Sequence, residues 1–161
     1  MTQKQKLLLF LLRISIGWIF FYAGVTKLSN QAWTAGGYLS SAKTFSGFYQ
    51  WLASPDLIGT VNVLNEWGLT IIGLALILGI FVRISSVLGS LIMILYYFPI
   101  LVFPKVGANA FIIDEHIVYI LVLLSLAAFR AGTAWGLESW IVRSSFFSKH
   151  PSLKKYYNII S

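Results

Sequence analysis

Four long apolar runs, each broken by few polar positions, set the pattern of this chain. The first covers 7–28 (LLLFLLRISIGWIFFYAGVTKL), the second 61–82 with Glu66 as its one acidic interruption, the third 84–103 with no charge, and the fourth 111–129. Each has about the 20 residues that a helix needs to cross a bilayer core. Only Arg83 separates the second run from the third, which predicts a tight helical hairpin. The first run exceeds the roughly 7–15 apolar residues of a secretory signal and is not closed by a small-x-small cleavage site. No internal repeat is visible. The expectation is an all-α integral membrane protein: a single-domain four-helix bundle with a long external loop after the first helix and a cytoplasmic tail over 130–161.

Composition agrees with this reading. The chain is 58% hydrophobic and only 11% charged, too little polar surface to coat a soluble globule of 161 residues. Its 12 basic residues against 5 acidic ones could suggest nucleic acid. They fall instead at the ends of apolar runs and in the tails, as topology signals do. Lys4, Lys6, Arg83, Arg143, Lys149, Lys154 and Lys155 would share one side, so the positive-inside rule predicts a multi-pass cell-membrane protein with both termini cytoplasmic. The loop 29–60, rich in aromatics such as Trp33, Tyr38, Tyr49 and Trp51, then lies outside, as a packed lid or as an interfacial aromatic belt. With no cysteine, the chain offers no disulfide, thiol relay or thiolate-held cluster.

Placing the charges by depth separates them into two layers. Arg13 and Lys27 are 14 residues apart, Glu66 and Arg83 17, and His116 and Arg130 14. At 1.5 Å per residue these intervals are about 21 to 26 Å, shorter than an apolar core of about 30 Å. One layer is Arg13, Arg83 and Arg130, a structural charge layer whose long side chains can snorkel to lipid phosphates. The other mixes signs: Lys27, Glu66, Asp114, Glu115 and His116. Short carboxylates snorkel poorly, so paired burial inside the bundle is expected there, and with it a functional site.

Helical phase points the same way. Arg13, Gly17, Phe20, Gly24 and Lys27 share one face of the first helix, Glu66, Thr70, Gly73 and Ile77 one face of the second, and His116, Tyr119, Leu123 and Arg130 one face of the fourth. Small residues on such faces let helices approach closely in lipid. Facing inward, they bring Lys27, Glu66 and His116 together; the plainer alternative is that Lys27 and Glu66 simply neutralise one another. Asp114, Glu115 and His116 are consecutive and cannot all point one way, and the only other histidine, His150, lies in the opposite tail, so neither a metal site nor a bis-histidine haem is expected. What fits is proton-coupled binding, with Trp67, Tyr96, Tyr97 and Tyr119 as aromatic neighbours for a quinone and the basic groups for an anion.

In GWIFFYAGVTKL (17–28), NEWGLTIIGLALILGIFVR (65–83), YYFPILVFP (96–104) and DEHIVYI (114–120) the sequence resembles the DoxX superfamily, and within it the DoxD type, over nearly all of the chain up to about residue 143. The resemblance implies the membrane subunit of a thiosulfate:quinone oxidoreductase. Such an enzyme oxidises thiosulfate to tetrathionate at the outer face and passes electrons to membrane quinone, with a DoxA-like second subunit. It implies Lys27 and Lys105 as substrate-binding cations, with His116, and Glu66 or Asp114 as proton carriers. Other respiratory-chain subunits or further copies of the chain are possible partners. A non-catalytic anchor or assembly subunit, or a small transporter, are the alternatives.

Overall fold

The computed structural model describes residues 1–107 and 110–143. Lys149, His150, Lys154 and Lys155, in the expected tail, lie outside the described residues. Among the described residues the chain is mostly helical, and three helices are long and apolar enough to cross a membrane: α1 (Gln3–Leu28), α4 (Pro55–Leu78) and α5 (Val82–Ile100). Between α1 and α4 run two short helices, α2 (Gly36–Ser40) and α3 (Ser46–Leu52). Strands β1 (Leu101–Val102), β2 (Lys105–Val106) and β3 (Ala110–Phe111) form a small antiparallel sheet in that order, with a cis Phe103–Pro104 bond at the first turn. Helix α6 (Glu115–Ala128), a 3-10 turn over Ala131–Thr133 and α7 (Leu137–Arg143) follow.

Local chemistry moves the expected boundaries. Helix α4 starts six residues before the expected position 61, because Ser54 is extended and Pro55 occupies the first turn, where its missing N–H costs nothing. It stops at Leu78 instead of 82, since Gly79 takes the left-handed conformation (φ 70°) that closes a helix. The fourth apolar run is not one span from 111: Phe111 belongs to β3, and α6 begins only where the Asp114 carboxylate accepts the backbone N–H groups of His116 (3.1 Å) and Ile117 (3.2 Å). Its 14 residues make about 21 Å of helix, short of the roughly 30 Å core that the other three can span.

Helix α1 lies along α4, α6 packs mainly on α5, and α4 on α5. The α1–α4 approach is backbone to backbone: a Cβ on Gly73 would fall 2.2 Å from the Phe21 nitrogen, and one on Gly24 2.5 Å from the Thr70 nitrogen. On α5 the uncharged face is small rather than greasy, with Ser86, Gly89 and Ser90 buried. A Cβ at Gly89 would meet Phe20 of α1, Leu123 of α6 and Ile72 of α4, so all four helices converge there. Their outward faces remain apolar and exposed, as in Leu11, Trp18, Leu64, Ile71, Leu91 and Leu121. A soluble chain would bury these; here they meet lipid.

Proline accounts for how the 29–54 segment docks. Pro99 has no N–H to give the Leu95 carbonyl four residues back, and the Tyr49 hydroxyl donates to that carbonyl instead (3.1 Å). The Tyr38 hydroxyl donates to the neighbouring Tyr96 carbonyl. Lys43 N–H donates to Pro99 O (2.9 Å) and Thr44 Oγ1 to Leu101 O (2.7 Å), so the segment satisfies the carbonyls that the end of α5 leaves open. Ala35, Leu39, Ala42 and Tyr49 form its own small core, with Trp33, Leu52 and Phe98 packed against it.

Arg13 does not snorkel. It is 1% exposed, donates to the Ala131 carbonyl (3.0 Å), lies over the Phe10 ring and faces the buried carboxylate of Glu138 on α7. The expected anchoring to lipid phosphates is therefore corrected at this residue, because a tertiary partner more than a hundred residues away reaches it first. Arg83 and Arg130 are exposed.

Candidate functional site

At the opposite end from Arg13, the last turn of α1, the 29–54 segment, α4, α5 and the start of α6 enclose a cavity of about 520 Å³. That is within the ordinary range for small-molecule sites. Its wall is largely apolar, including Leu39, Leu52, Leu64, Ile92 and Leu95, and its polar groups include Lys27, Tyr38, Asn65, Tyr96 and His116.

Each polar group is held by a local device. Lys27 Nζ donates to the Ala23 carbonyl one turn back (3.1 Å) and lies 5.4 Å from the Trp33 ring centroid. The Tyr96 hydroxyl donates to Asn65 Oδ1 (2.7 Å), which ties α5 to α4. The His116 ring stands edge-on to Tyr96, with centroids 6.1 Å apart. Its Nδ1 lies 2.5 Å from Asp114 Oδ2. A carboxylate that already accepts two backbone N–H groups can only accept again, so Nδ1 is the donor in this pair and Nε2 is the ring nitrogen left for proton exchange. Asp114 thus caps α6 and orients His116, while the third member of the trio, Glu115, is exposed. Burial pushes the Tyr38 hydroxyl up to about 12, with Tyr96, Tyr49 and Asp114 adding to it, and burial also raises Tyr49. Both stay neutral hydrogen-bond donors at any physiological pH.

Of the residues singled out in the sequence, Lys27, Tyr96 and His116 line this cavity, with Asp114 directly behind His116. Glu66 is half-buried and close enough to attract the Lys27 ammonium, without forming an ion pair with it among the described residues. Trp67 is 53% exposed on the outer side of α4. Tyr97 turns away and donates to the Ile112 carbonyl (2.6 Å), Tyr119 lies near Glu115, and Lys105 lies on β2 beside a second groove. Asn65, Tyr38 and Trp33 were not expected as site residues. Asn65 had a legible signal, a carboxamide in an apolar run three residues from Asn62, whose Oδ1 takes the Ala35 N–H (2.9 Å).

Fold and cavity together define an α-helical membrane protein with a polar-ended pocket under the docked 29–54 segment. The DoxX family pattern matches residues 8–102, and the chain belongs to that family. Lys27, Asn65 and Tyr96 fall inside the matched stretch; Asp114 and His116 lie beyond it. An uncharacterized protein of Bacillus subtilis (strain 168), YitO, is 32% identical over 77 residues, covering 45% of this chain and 25% of that protein. The chain thus spans about a quarter of the length of that relative. No solved structure matches.

Proposed function

We propose that this chain is the quinone-reducing membrane subunit of a thiosulfate:quinone oxidoreductase. The observation that carries the reading is the cavity itself: an apolar volume of about 520 Å³ bounded by an ammonium, a tyrosine and a carboxylate-oriented histidine. A quinone is an apolar ring with two carbonyl oxygens, and its reduction takes two electrons and two protons. Two thiosulfate ions supply the electrons as their outer sulfurs join into the S–S bond of tetrathionate. His116 delivers a proton through Nε2 while Asp114 stabilises the imidazolium; Lys27 offsets negative charge growing on the other oxygen. Glu66, beside Lys27, relays the second proton from the membrane face. Leu64 is 66% exposed and lines the cavity, which gives a membrane quinone a lateral entrance. The Lys27 end faces outward in this reading, both termini are cytoplasmic, and a DoxA-like subunit completes the enzyme.

The test is thiosulfate-dependent reduction of a soluble quinone analogue by the purified chain, with and without copurifying small subunits. His116→Ala lowers kcat by about 100-fold or more, the ordinary worth of a general acid, and Glu66→Gln lowers it with a changed pH profile. Wild-type rates in both variants, or no activity in the intact complex, sink the proposal and leave the anchor reading.

A further inference from the structure

Thiosulfate is a dianion, and oxidation must bring two of them into contact. The cavity under α2 and α3 is a poor place for that, because most of its wall is hydrocarbon and Lys27 already lies near Glu66. A second groove, of about 630 Å³, lies at the end of α5 and over β1–β2. Lys43 and Lys105 both line it, no carboxylate does, and neither lysine is in an ion pair among the described residues.

We infer that this groove is a binding site for a small dianionic oxyanion, with Lys43 and Lys105 as its cationic ligands, separate from the acceptor cavity. The inference rests on the proposed function for the identity of the dianion as the electron donor, and on charge and geometry for the site. Each lysine projects from fixed backbone. Lys43 N–H is bonded to Pro99 O (2.9 Å), and the adjacent Thr44 hydroxyl to Leu101 O (2.7 Å). Lys105 is paired with Val102 on one side and Phe111 on the other in the small sheet. Two cations that line one groove with no carboxylate among its lining residues both attract an anion placed there. Ile100 lines both the groove and the acceptor cavity, so a single side chain forms part of the wall between donor and acceptor.

The experiment uses the full chain in nanodiscs of neutral phosphatidylcholine at low ionic strength. Radiolabelled thiosulfate binding is measured by equilibrium dialysis, with sulfate as competitor. Saturable binding is expected, weakened roughly tenfold or more in the Lys43→Gln, Lys105→Gln double variant, as loss of two charge contacts to a dianion requires. His116→Ala is expected to keep the binding. Wherever quinone reduction is measurable, the double variant raises the KM for thiosulfate and leaves that for the quinone analogue unchanged. Binding undiminished in the double variant overturns the site. So does a wild-type chain that ignores soluble dianions and responds only to phosphatidylglycerol in the disc, which assigns the lysines to lipid phosphate. Binding lost in the double variant from a chain that never reduces quinone upholds the oxyanion site and rejects the oxidoreductase reading alone.

Discussion

Replacing Gly73 by alanine adds one methyl group where two helices touch through their backbones. The new Cβ would lie 2.2 Å from the Phe21 nitrogen, 2.6 Å from its Cα and 2.7 Å from the Gly17 carbonyl oxygen. Ordinary contact begins near 3.4 Å, so α1 must withdraw by about an ångström. No rotamer can relieve the clash, since every obstacle is main chain, and overpacking costs of about 1–3 kcal/mol should fall at the upper end. The gain of roughly 1 kcal/mol in helix propensity offsets part of this and leaves a net loss of about 2 kcal/mol. Gly68, on the same helix, is the control: its Cβ would meet only Ile92 Cδ1 at 3.7 Å, so Gly68→Ala should be neutral or slightly stabilising. Reversible unfolding in mixed micelles, followed by circular dichroism, measures both. If the two variants came within about 0.5 kcal/mol of each other, the ordinary scatter of surface substitutions, the backbone-contact account of the α1–α4 crossing would be wrong.

Arg13→Met removes the guanidinium that faces buried Glu138, a loss of about 3 kcal/mol or more. It should also speed tryptic cleavage after exposed Arg130, and unchanged unfolding and cleavage would refute the role of Arg13 in holding α7. Tyr49→Phe removes the donor to the Leu95 carbonyl that Pro99 leaves open, and should cost about 1 kcal/mol. In a Pro99→Ala background, where the restored N–H serves that carbonyl, the same change should cost almost nothing; an undiminished cost in that double-mutant cycle would contradict the docking argument.

The apolar runs and their small-residue faces were readable because lipid imposes both length and period on a spanning helix. Arg13, Gly17, Phe20 and Gly24 are all buried along one face of α1, as their spacing required. Three boundaries misled, and each was set by a local signal weaker than hydropathy: Pro55 and Gly79 on α4, and the Asp114 cap that shortens α6. Long-range pairing was illegible. Nothing near Arg13 in the sequence points to Glu138, although Gly132 beside that carboxylate hints at close packing, since a Cβ on Gly132 would fall 1.9 Å from its Oε2. At the cavity, depth and helical phase brought out Lys27 and His116, whereas Tyr38 and Trp33 come from a segment whose docking depends on carbonyls freed by Pro99 and by the end of α5.

The two ends of the helices handle buried charge differently, and the difference separates structure from chemistry. Around Arg13 the backbone closes in: a Cβ on Gly79 or Gly136 would lie 2.2 or 2.4 Å from its guanidinium, which leaves no volume for a ligand. The contacts there come from the chain itself: the Ala131 carbonyl, the Phe10 ring and the facing carboxylate of Glu138. Lys27 and His116 instead border open volume, and the ammonium has a single backbone carbonyl and an indole face in contact. Burying an ionisable group is unfavourable until its partners are supplied. Where the chain closes around the group and leaves no space beside it, the group belongs to the fold. Where it supplies only enough to fix orientation, the remaining interaction is available to whatever enters the cavity, and that is the condition for binding at the Lys27 end.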